Sequence, residues 1–149
     1  MNKSKFYFYS ALLITIATLV LLYTGSSLLT LSLNSTNTIP LGTFITWAGI
    51  IALPMSIYWG VKELRTPTTG INKILAICLK ICIVLAILWV PIAYLLAGNL
   101  SFSFTEKATF QGGQAAMRWF WRLSYGIGIV AMLTLSCYWI SLIFKPSKG

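Results

Sequence analysis

Long apolar runs separated by short polar stretches take up most of the 149 residues, at about 6–33, 41–61, 74–97 and 117–144. Each run is about 20 to 28 residues long, which is what an α-helix needs to cross a hydrocarbon layer about 30 Å thick. The first break, 34–40, is polar and uncharged and ends in Pro40. The second, 62–73, is basic and carries Pro67 and Gly70, residues that stop helices. The third, 98–116, is the longest loop. The pattern predicts an all-α, polytopic membrane protein, an up-down bundle of four transmembrane helices forming a single domain over residues 1–149.

The basic start with Lys3 and Lys5 ahead of an apolar run resembles a signal peptide. Its apolar part is about twice the usual 7 to 15 residues, and no small-residue cleavage pattern follows, so the first run is expected to be a retained signal anchor.

Composition agrees with the pattern. The chain is 58% hydrophobic and 9% charged, against about a quarter charged in a soluble domain. Its net charge of +9 comes from eleven basic residues against two acids, Glu63 and Glu106. Such a balance in a soluble protein points to nucleic acid. Here the basic residues lie at helix ends, where they set topology and meet anionic headgroups, so no nucleic-acid binding is expected. Seven of them, Lys3, Lys5, Lys62, Arg65, Lys73, Lys145 and Lys148, fall on one side, and three, Lys107, Arg118 and Arg122, on the other. The positive-inside rule then places both termini in the cytoplasm, with a bacterial inner (plasma) membrane as the expected location. Aromatic residues at Tyr58-Trp59, Trp119 to Trp121 and Tyr138-Trp139 fall near the same boundaries.

What is missing narrows the chemistry. The chain has no histidine, and neither acid lies within an apolar run. Haem ligation by histidine, histidine acid/base catalysis, carboxylate relays and paired-carboxylate hydrolysis therefore lack their residues. Cys78, Cys82 and Cys137 all sit inside apolar runs. Cys78 and Cys82 are i and i+4 on one helix face but find no third ligand, so they read as packing rather than as a metal or redox pair. No cofactor, no metal and no enzymatic activity is expected.

Certain positions depart from plain lipid-facing helix. Ala48, Ala52, Ser56 and Gly60 form a small-residue stripe that lets a second helix approach closely, whether from this chain or another; Ser124 and Gly128 offer a shorter one. Pro54 and Pro91 lie deep in the second and third runs, where each removes a backbone hydrogen bond. Lys80 is a charge well inside the third run and either snorkels to the headgroups or meets an anion or a partner's carboxylate. Arg118 and Arg122, framed by Trp119 to Trp121, either anchor at the headgroups or hold a phosphate. The loop with Phe102, Phe104 and Phe110 suits a membrane surface or another protein. Asn34-Ser35-Thr36 and Asn99-Leu100-Ser101 match the glycosylation acceptor pattern but hug the bilayer.

These features predict a non-catalytic accessory, assembly or scaffold subunit of a larger membrane complex. Its expected partners are membrane lipids and other membrane protein subunits, or further copies of itself. A small homo-oligomeric channel or carrier for a lipid or anion, using Lys80, Arg118 and Arg122, is the alternative.

Overall fold

The computed structural model describes residues 3–33, 39–101, 104 and 110–144. Helix α1 spans Lys3–Thr24, followed by a 3-10 turn at Ser27–Leu29. Helix α2 spans Leu41–Gly60, α3 is a single turn at Lys62–Arg65, α4 spans Gly70–Ile87, α5 spans Trp89–Ala97 and α6 spans Gly113–Ile143. Among the described residues no strand forms, and α1, α2, α4 and α6 are each long and apolar enough to cross a membrane.

Two apolar runs are not single helices. The first leaves helical geometry at Gly25, whose φ of +59° is left-handed and suits a residue without a side chain. Ser26 Oγ then accepts from the Leu28 amide at 3.4 Å and starts the 3-10 turn. The chain folds back on itself beyond it, with Leu33 N donating to Ile39 O (2.9 Å) and Leu41 N to Leu31 O (2.8 Å). Leu29 is thereby buried at this end of the bundle, so the last apolar residues of the run form a cap instead of more helix. Hydropathy alone does not separate these outcomes, because a leucine is apolar in either place.

The third run breaks at Leu88 (φ −80°, ψ 0°) into α4 and α5. The cause is three residues further on. Pro91 has no N–H, so the Ile87 carbonyl four residues before it loses its helical partner. The Trp47 indole of α2 supplies the replacement, with Nε1 donating to Ile87 O at 3.2 Å and to Ala86 O at 3.1 Å. A freed carbonyl in a spanning helix has to be satisfied by a neighbour, and here a side chain of the adjacent helix does it. Pro54, in contrast, is fully buried inside an α2 that continues past it.

The packing of α1 reverses the order seen in water-soluble domains. On α1 the only buried side chains are Thr15 and Thr18, while Leu13, Leu19 and Tyr23 are exposed. The contacts between α4, α5 and α6 combine Ala76, Ala86, Ala93, Ala97 and Ala131 with the larger Leu79, Trp89, Phe120, Ile127 and Tyr138. Small residues bring the helix backbones together, and many large apolar side chains point outward. The Trp89 indole is paired within this core, donating to Ser124 Oγ at 2.8 Å, and Ser124 in turn donates to Phe120 O at 2.8 Å.

Candidate functional site

The small-residue stripe of α2 is split by the fold. Ala52 and Ser56 are buried, whereas Ala48 and Gly60 are exposed. The closest approach to α1 is at Gly49, one residue from Ala48: a Cβ built there would lie 2.4 to 2.8 Å from the Thr18 side chain. Thr18 Oγ1 donates to Ile45 O at 3.3 Å across the same contact. Gly60 faces the Phe8 ring at the other end of the pair, and Ser4 Oγ donates to Trp59 O at 3.3 Å. The seam thus serves contact between α1 and α2 at Gly49 and Gly60.

Between α1, α2 and α6 lies a cavity of about 120 Å³, reached by Thr15, Thr18, Thr46, Gly49 and Ser124. Thr46 Oγ1 is buried there without a hydrogen-bond partner. That volume holds a few water molecules, and a hydroxyl that would otherwise remain unpaired favours filling it.

At the end of the bundle where α2 meets α3, polar and aromatic side chains close the rim. The Arg65 guanidinium stacks 5.5 Å from the Trp59 ring centroid, and Tyr7 packs on the same indole at 4.9 Å. Glu63 accepts from the Tyr138 hydroxyl at 3.0 Å, tying the α2–α4 connection to α6.

The basic residues inside the apolar runs occupy different faces. Lys80 is exposed on α4 among exposed Ile77, Ile81 and Val84, facing away from the helices behind it. Arg118 and Arg122 are exposed on α6, one turn apart. The Arg122 guanidinium lies 5.3 Å from the Trp119 ring centroid. Arg122 also closes one end of a groove of about 320 Å³ between α4 and α6, whose α4 wall is Cys78, Ile81, Cys82 and Leu85. The structure therefore brings Cys78, Cys82 and Arg122 together and leaves Lys80 outside the groove. Among the described residues, no three of cysteine, aspartate and glutamate gather where they would hold a metal ion.

The Asn99 side chain is engaged locally: Oδ1 accepts from Ser101 N (3.0 Å) and Ser101 Oγ (2.8 Å), and Nδ2 donates to Ala97 O. Phe110 is placed against Phe120 at 5.2 Å, and Phe104 against Gly42, so two of the loop aromatics cap the bundle. Phe102, Glu106, Lys107, Lys145, Lys148 and the Asn34-Ser35-Thr36 triplet lie outside the described residues.

Two contributors were not singled out in the sequence. Trp47 satisfies the proline break, and a tryptophan in the second run with a proline in the third gives no local sign of that pairing. Gly126 forms part of the groove between α4 and α6, and a glycine in the middle of an otherwise apolar helix was the available signal. Comparison of the chain with protein-family models, curated proteins and solved structures returns no match.

Proposed function

We propose that this is a non-catalytic, multi-pass membrane protein that packs as an accessory, assembly or scaffold subunit against another membrane protein. The membrane part of the reading is supported by four long apolar helices whose outer faces carry many exposed leucines, isoleucines and aromatics, while α1 buries only threonines. The up-down order of the spans is supported by contacts that rise along one helix as they fall along the next. Ser4 meets Trp59 and Thr18 meets Ile45 between α1 and α2, and Glu63 meets Tyr138 and Trp89 meets Ser124 between the α3 to α5 stretch and α6. The excess of lysine and arginine at the Lys3 end of α1 and in the connection from α2 to α4 favours the cytoplasm for that side.

The observation that carries the subunit reading is the outward placement of Lys80. It follows Lys73 by seven residues, about 10 Å along the helix, and its neighbours on that face are exposed isoleucines and a valine. An ammonium group at the centre of a spanning helix costs about 2.5 to 3.5 kcal/mol. A carboxylate on a neighbouring protein offsets that cost and fixes the register of the two helices.

Photo-crosslinkers placed at Ile77 and Val84, in native membranes, test the reading directly. A discrete protein adduct from the α4 face, lost in Lys80→Leu, is the expected result. Adducts with lipid alone at both positions, or a monomer insensitive to Lys80→Leu, would overturn it.

A further inference from the structure

We propose that the groove between α4 and α6 is a binding site for one anionic phospholipid, its acyl chain lying over Gly126 and its phosphate held by Arg122. Three independent features of the groove point there. The first is Gly126. A glycine within a helix is about 1 kcal/mol less favourable than alanine, and a spanning helix usually repays this through close backbone packing. Gly126 has no such return, since a Cβ built on it meets nothing within 4 Å. The space that the absent side chain leaves is part of the groove itself.

The second feature is the groove's shape and lining. Its α6 wall runs from Arg122 to Val130, about 12 Å along the axis, and the walls are otherwise Ile81, Leu85, Leu123 and Ile127 with the two cysteines. The groove's volume of about 320 Å³ accommodates a single acyl chain.

The third feature is Arg122 at the end nearer the start of α6. The guanidinium lies over the Trp119 ring, 5.3 Å from its centroid, a contact that uses its π face and not the N–H donors in its plane. Such a fork is matched to a phosphate, and side chains on a helix lean toward its N-terminus, here toward the headgroup end. Of the chain's two acids, Glu63 is engaged by Tyr138 near the opposite end of α6. Pairing with Glu63 of a second copy would have to reach across the length of the bundle, whereas a phosphate complements the guanidinium where it stands.

The test uses the full chain in mild-detergent micelles and reads quenching of tryptophan fluorescence by lipids brominated on the acyl chain. Phosphatidylglycerol and diacylglycerol with the same chains are compared, with inorganic phosphate as a competitor. Saturable quenching with a preference for phosphatidylglycerol of roughly tenfold is expected, as one charge-assisted contact supplies. Arg122→Gln should remove the preference while leaving chain binding, and Gly126→Leu should weaken both lipids roughly tenfold by filling the groove. Gly126→Ala, which the open space accommodates, confirms that the helix tolerates a side chain at that position. Equal binding of both lipids by the wild type would overturn the proposal. So would a preference that survives Arg122→Gln, or full competition by millimolar phosphate, which would mark an anion site without a chain.

Discussion

Replacing Trp47 with phenylalanine removes the indole N–H that serves the Ala86 and Ile87 carbonyls, and the cost depends on Pro91. In the wild type the Ile87 carbonyl has no helical donor, because the residue four positions on is proline. An acceptor left unsatisfied away from water costs about 1 to 3 kcal/mol, although side-chain hydrogen bonds within membranes average about 0.6 kcal/mol. A penalty of about 1 kcal/mol from the lost hydrogen bond is therefore expected, in addition to the loss of ring volume. In a Pro91→Ala background the restored amide bonds the Ile87 carbonyl within a continuous helix, and the indole has less to supply. The volume term is common to both backgrounds and cancels in a double-mutant cycle. Unfolding free energies measured by titrating denaturing detergent into mixed micelles should show Trp47→Phe costing about 1 kcal/mol less when residue 91 is alanine. Additivity within about 0.5 kcal/mol would refute the account, because it would mean that the Trp47 contact is indifferent to the proline break.

Gly49→Ala forces a Cβ to within 2.8 Å of Thr18; it should destabilise the protein by about 1 to 3 kcal/mol in the same titration. Gly126→Ala, with open space around it, should be neutral or stabilising by up to about 1 kcal/mol. Tyr138→Phe removes the hydrogen bond to Glu63. It should cost about 1.5 kcal/mol and speed proteolysis in the α2–α4 connection, which a structural role for this tie requires. Ser124→Ala removes the hydroxyl that accepts from the Trp89 indole, and a loss of about 1 kcal/mol should be accompanied by a shift in tryptophan emission.

What was legible in the sequence follows from the length and continuity of the apolar runs. Four spans, their approximate centres and the basic asymmetry of the connections are one-dimensional properties, set by how many consecutive residues avoid water. The break at Leu88 was half legible. Pro91 announces a lost hydrogen bond, but the donor that replaces it is Trp47, thirty-nine or forty residues away in the chain. The cap after Gly25 was hidden because its leucines have the same hydropathy in a cap as in a helix.

For the candidate sites, the sequence by itself determined which residues carry charge and which are small enough for close packing. Only the tertiary structure decided what those residues face. A stripe at intervals of four drifts around a helix that turns every 3.6 residues, so Gly49 rather than Ala48 makes the tight contact with α1. Lys80 and Arg122 look alike as charges inside apolar runs, yet Lys80 points away from the bundle and Arg122 closes a groove over an unfilled glycine. Direction around a helix axis is fixed by which neighbour each helix packs against, and that information resides in contacts between residues far apart in the chain.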